Sequence, residues 1–104
     1  MSERVVRENE AEQRFEIWVA GELAGLARYQ RQGDAYAFTH TEIDDRYEGQ
    51  GLGSALVRSI LDTMREAGTP VLPYCPFVRG YVERHPEYLD LVPAGAREKF
   101  ELPV

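Results

Sequence analysis

A single cysteine, Cys75, stands among 104 residues. A lone thiol excludes an intramolecular disulfide framework and suits a reducing compartment, and no zinc or other metal is expected. Long apolar runs are missing as well. No window approaches the ~20 residues that cross a bilayer, so no membrane partner is expected. The opening Met1-Ser2-Glu3-Arg4 lacks the apolar core of a secretory signal, which places the protein in the cytoplasm as an expectation. Positive charge is scarce: 12 Lys and Arg face 18 Asp and Glu, for a net charge of -6 and a pI near 4.9. Nucleic-acid binding rests on a basic surface that neutralises phosphates, so no nucleic-acid partner is expected. Any anionic ligand must be held by local dipoles. Repeats and low-complexity linkers are also absent, and a hydrophobic content of 43% suits one domain over residues 1–104.

What the sequence does contain changes character near its middle. Phe15, Ile17 and Val19 alternate with Glu16 and Trp18. A turn follows at Ala20-Gly21-Glu22, and Leu23, Gly25, Ala27 and Tyr29 resume the period of two. A second turn at Gln32-Gly33-Asp34 leads into residues 35–43. On that strand strict alternation puts Tyr36, Phe38, His40 and Glu42 on one face and Ala37, Thr39, Thr41 and Ile43 on the other. The front half thus predicts an antiparallel meander. Tyr36 and Phe38 suit the sheet core better than substrate stacking.

From Leu52 the period becomes helical, with Leu52, Gly53, Leu56, Val57, Ile60, Leu61 and Met64 forming one apolar stripe. Gly68 and Thr69-Pro70 stop the helix, and Val71 to Tyr74 reads as a short strand running parallel to the one before the helix. Pro76 opens a second helix, which ends before Pro86; His85 there reads as structural. The tail beyond is weakly patterned. The fold class is α+β, strands first.

Between the strand ending near Ile43 and the helix beginning near Gly51 lies Glu48-Gly49-Gln50-Gly51-Leu52-Gly53-Ser54. The first N–H groups of a helix have no partner inside it, glycines let a bulky anion approach, and the helix dipole adds positive potential. Two glycines in the first helical turn cost roughly 1 kcal/mol each relative to alanine, so they call for a use beyond flexibility. An acidic chain is thereby able to bind a pyrophosphate. Two familiar phosphate motifs are excluded by spacing. No Gly-Lys-Ser/Thr closes the run, and Leu56 stands where G-x-G-x-x-G needs a small residue.

The segment from Glu42 to Leu56 resembles the acyl-coenzyme A loop of the GNAT superfamily of acetyltransferases, R/Q-x-x-G-x-G/A after a splayed strand. Gly51 and Gly53 fit its glycines. Glu48 stands where the superfamily has arginine or glutamine, which leaves the grip to backbone N–H groups. A compact GNAT-like group is similar over residues 14–92. Its stretches H-T-E-V-D, E-G-x-G-[IL]-G and P-x-C-P-[FY]-V correspond to His40-Thr41-Glu42-Ile43-Asp44, Glu48 to Gly53, and Pro73-Tyr74-Cys75-Pro76-Phe77-Val78. The likeness continues through Arg84-His85-Pro86-Glu87-Tyr88.

That resemblance implies a minimal GNAT-like fold in which the meander leads into a strand-helix-strand-helix acyl-coenzyme A unit. The helices after the first strand and the closing C-terminal strands of larger relatives are missing from it. It implies acetyl-coenzyme A as acyl donor and an amine acceptor, either a small amine or a lysine. The expected donor contacts are Ile43, Glu48, Gly49, Gln50, Gly51, Leu52, Gly53, Ser54 and Phe77, with no metal. It also implies His40 and Cys75 as the active-site pair, facing each other across the slot where the two strand ends diverge. An unperturbed imidazole titrates near neutral pH and serves as a base, and a thiol at a helix start is favoured as thiolate. Taken alone, both residues fit structural roles better than catalytic ones.

Two schemes are open: direct attack by the amine with His40 as base, or an acyl intermediate on Cys75 formed with His40 assisting. Many GNAT enzymes carry a tyrosine on the last helix as general acid. Here Val82 occupies that place, leaving Cys75, the adjacent Tyr81 or water. The alternatives to an enzyme are a non-catalytic acyl-coenzyme A binding module and, last, an interaction domain with a vestigial loop.

Overall fold

A computed structural model describes residues 3–103. Five strands form one sheet in the order β1-β2-β3-β4-β5, with β1 Arg4–Asn9, β2 Arg14–Val19, β3 Glu22–Gln32, β4 Ala35–Ile43 and β5 Val71–Pro73. The first four pair antiparallel, and β5 pairs parallel to β4. Helix α1, Leu52–Ala67, is the crossover between β4 and β5, and α2, Pro76–Arg84, follows directly. The chain is an α+β protein with this minimal meander and strand-helix-strand-helix layout.

The local reasons agree with the elements. The stripe of α1 buries Leu52, Leu56, Val57, Ile60, Leu61 and Met64 against the sheet, at roughly 1.5–3 kcal/mol of transfer free energy for each large side chain. Gly68 ends it in the left-handed region, its φ being +68°, and donates its N–H back to the Arg65 carbonyl. Pro76 opens α2 at a position where its missing N–H costs nothing. Tyr36 and Phe38 are buried among Phe15 and Tyr29, the sheet core expected of them. His85 caps α2, its ring stacked on Tyr81 at 4.0 Å.

Two parts were not foreshadowed. Strand β1 precedes the first alternating stretch; as an edge strand it buries none of its residues fully, so its adjacent Val5 and Val6 leave no period of two. After α2 the tail forms a 3₁₀ segment, Pro86–Leu91, and a short helix α3, Ala94–Arg97. Its buried Phe100 meets Tyr74 edge-on at 5.0 Å, and Lys99 donates to the Tyr74 hydroxyl. No further strand follows β5 among the described residues.

One irregularity matters for the site. Arg28 pairs with His40 but Tyr29 pairs with Phe38, so Thr39 is an extra residue bulged out of β4. A bulge resets the alternation of its strand. Up to Phe38 the even residues of β4 face the helices. Beyond the bulge Thr41 and Ile43 do so, while His40 and Glu42 turn to the other face with Arg28 and are exposed.

Candidate active site

Strand β4 is held to β5 only from Tyr36 to Phe38, and a last bond of 2.7 Å joins the Cys75 N–H to the Phe38 carbonyl. Beyond that point β4 runs on to Ile43 while the other chain turns into α2. The parting leaves the outer edge of residues 39–43 without a strand partner. A groove of about 400 Å³ opens there, walled by Thr41 and Ile43 of β4, the glycine turn and Phe77 of α2.

The floor of the groove is the head of α1. Gly51 is the N-cap, with φ +72° and no side chain to cap the amides, and Gly49 has φ +80°. The N–H groups of residues 49–54 donate to no acceptor among the described residues; the first bond of this end is from Ala55 to the Gly51 carbonyl, 3.1 Å. Unpaired amides at a helix head, with the dipole behind them, form an anion site. The glycines differ in what they supply. A Cβ on Gly49 or Gly51 would meet nothing within 4 Å, so these two are needed for their backbone angles. A Cβ on Gly53 would meet Phe77 Cζ at 2.7 Å, so this glycine is needed for the packing of α2 on α1.

Of the residues expected to touch a donor, Ile43, Glu48, Gly49, Gly51, Leu52, Gly53, Ser54 and Phe77 line the groove, Leu52 through its backbone because its side chain is buried. Gln50 does not line it. Its carbonyl is turned back and accepts from Arg4 Nη2 at 3.0 Å. Thr41, Glu42 and Tyr47 also line the groove, though no donor contact is expected of them from the sequence. Ahead of the turn, Arg46 is tied to Asp44 at 3.1 Å and to Glu22 at 3.4 Å. The Arg46 backbone N–H, then its guanidinium, hold the Asp44 carboxyl below its usual value. Tyr47 donates to Glu22 at 3.0 Å, which pushes its hydroxyl up. Arg46 is thus paired rather than aimed at the groove.

The pair His40 and Cys75 is arranged differently from expectation. Cys75 is buried, and its Sγ lies 3.4 Å from Thr41 Oγ1. Thr41 therefore faces Cys75. His40, one residue earlier, faces away on the opposite side of the sheet, more than half exposed, with Nε2 3.4 Å from Glu42 Oε2. The bulge at Thr39 is the physical reason: strict alternation from Phe38 would have put His40 on the helix side. Tyr81, the neighbour of Val82, is buried between His85 and Tyr88, and burial raises its hydroxyl pKa. It faces those rings instead of the groove.

Residues 14–91 match the family model described as GCN5-related N-acetyl-transferase. Among solved structures, the ribosomal-protein-S18-alanine N-acetyltransferase of Escherichia coli is 26% identical with a TM-score of 0.53. That match covers 62% of this chain and 42% of the other, so the chain spans about two-fifths of that enzyme's length. A GCN5-like protein of Staphylococcus aureus, solved by NMR, shares the fold with a TM-score of 0.66 at 22% identity, over 88% of this chain and 90% of that one. No curated protein matches the chain in sequence. With three-quarters of its length matched by that family model, the chain belongs to the GCN5-related N-acetyltransferase family.

Proposed function

We propose that the protein transfers an acetyl group from acetyl-coenzyme A to an amine acceptor. The observation that carries this reading is the run of unpaired amides from Gly49 to Ser54 opening on a groove that reaches Thr41. These residues fit the donor: the amides suit its pyrophosphate, the unpaired edge of β4 suits its amide-bearing arm as an added strand would, and exposed Phe77 offers apolar contact. Family membership supports acyl transfer, and the name of the Escherichia coli enzyme puts a protein alanine among acceptors of this fold.

Direct transfer is the better of the two schemes, because His40 and Cys75 sit on opposite faces of β4. An imidazole on the far face is not placed to take the Cys75 proton. It is open to an acceptor arriving from solvent, beside the Glu42 carboxylate that would favour a cation. In this scheme His40 accepts the ammonium proton, the amine nitrogen bonds to the acyl carbon and gives up a second proton to water, the carbon–sulfur bond breaks, and that water passes the proton on to the leaving thiolate. Cys75 keeps a packing role next to Thr41.

Thiol release from acetyl-coenzyme A in the presence of polyamines, lysine peptides and an alanine-terminated peptide tests the proposal. Turnover with at least one amine, lost in His40→Ala, is expected. Binding of acetyl-coenzyme A without thiol release across the panel would make the protein a binding module instead.

A further inference from the structure

A cation outside the family-matched segment bonds to the glycine turn. Arg4, at the start of β1, donates from Nη2 to the carbonyl of Gln50, 46 residues away, at 3.0 Å. It precedes residue 14, where the family match begins. The Gln50 carbonyl and the Gly51 N–H belong to one planar, trans peptide unit, so they point in opposite directions. With the carbonyl held toward β1, the Gly51 N–H is turned the other way. That N–H has no acceptor among the described residues, and Gly51 lines the groove.

This peptide would otherwise be loosely held. Gly49 and Gly51 both occupy the left-handed region, and the N-cap has no side chain to fix it. Rotation of the Gln50–Gly51 peptide about its flanking bonds would exchange an outward N–H for an outward carbonyl, a repulsive group for an anion. A charged donor on the carbonyl opposes that rotation. It also polarises the peptide, which strengthens the N–H at its other end. Glu48 supplies nothing of the kind, being an anion at the turn itself.

We propose that Arg4 is the positioning residue of the donor site, acting through the Gln50–Gly51 peptide in place of a cation at position 48. The inference rests on the reading of the groove as an acyl-coenzyme A site. Its test is a comparison of the full chain with Arg4→Ala and Arg4→Lys by calorimetric binding of coenzyme A, thermal unfolding without ligand, and the ¹⁵N–¹H resonance of Gly51. Arg4→Ala is expected to weaken coenzyme A about three- to fivefold, the scale of an exposed charge interaction, with the midpoint of unfolding nearly unchanged. The Gly51 resonance should move in the ligand-free protein, and Arg4→Lys should restore part of both effects. Arg4→Ala that binds coenzyme A like wild type, with Gly51 unmoved, overturns the inference and leaves the functional reading intact. Wild type that binds no coenzyme A overturns both. An affinity loss that matches a large drop in unfolding temperature, unrelieved by lysine, would mark Arg4 as a general fold contact and overturn the positioning role.

Discussion

Phe77 and Gly53 touch so closely across the heads of α2 and α1 that a Cβ on the glycine would lie 2.7 Å from the ring. The colliding atom is the far end of a ring that is 41% exposed, so the ring is able to swing outward, into the groove. Alanine also improves helix propensity by up to about 1 kcal/mol. Gly53→Ala is therefore expected to unfold within a few degrees of wild type while losing about tenfold in acetyl-coenzyme A affinity, a loss of about 1.4 kcal/mol. Calorimetry on the folded variant checks this. Unchanged affinity would mean that Phe77 does not border the donor.

Gly51 has a different constraint and should fail differently. At φ +72° a side chain has space but an unfavourable backbone, costing about 1–2 kcal/mol. Gly51→Ala should lower stability by that amount in denaturant titration, and Gly51→Asn by less, since asparagine tolerates the left-handed region. Gly51→Pro fixes φ near the opposite sign and should abolish coenzyme A binding. Equal stability of the alanine and glycine forms would contradict the left-handed cap.

The opposite facing of His40 and Cys75 separates their mutants. His40→Ala should cut turnover by about 10²–10⁴-fold, the range for a general base, with donor affinity unaltered. Cys75→Ala should retain turnover. Intact mass after incubation with acetyl-coenzyme A alone should be unmodified. An acetyl adduct on wild type that disappears in Cys75→Ala would establish the covalent scheme instead.

Stability should fall in strong base. Tyr88 donates to Asp62 at 2.6 Å, and this bond, with burial, pushes its hydroxyl up to about 12. Burial chiefly, with bonds to Glu8, raises Tyr29 and Tyr36 as well. A folded-state pKa above the unfolded value of 10.0 means that the unfolded chain loses its proton first. The stabilisation is complete below pH 10 and disappears as pH rises through about 12. Urea midpoints measured from pH 8 to 12 should decline with a slope that Tyr88→Phe makes shallower. A slope identical in the variant would show that the Tyr88–Asp62 bond is not formed in solution.

The legible parts of this protein were those governed by local pattern. The stripe from Leu52 to Met64, the stop at Gly68 and the alternation over Phe15 to Val19 and Gly25 to Tyr29 are set by neighbours in sequence, whereas Leu23 falls on the other face with Trp18 because Ala24 is an extra residue of β3. The turn at residues 49–54 was visible because glycines at a helix head are costly without a use. What escaped depends on pairing between distant segments. The bulge at Thr39 arises where β4 meets β3 and has no signature in either strand alone, so strict alternation gives the wrong face for His40. Gly53 is explained by Phe77, 24 positions on, and Gln50 by Arg4. Strand β1 and the tail bury too little, or bury it too irregularly, to show a period.

The central claim is that the amides of residues 49–54 hold the donor. A ¹⁵N–¹H titration of the full chain with acetyl-coenzyme A measures it most directly. Saturable shifts should be largest at Gly49, Gly51, Gly53 and Ser54, extend along β4 to Thr41 and Ile43, and leave the tail still. An absence of saturable shifts, or shifts confined to other surfaces, would contradict the account.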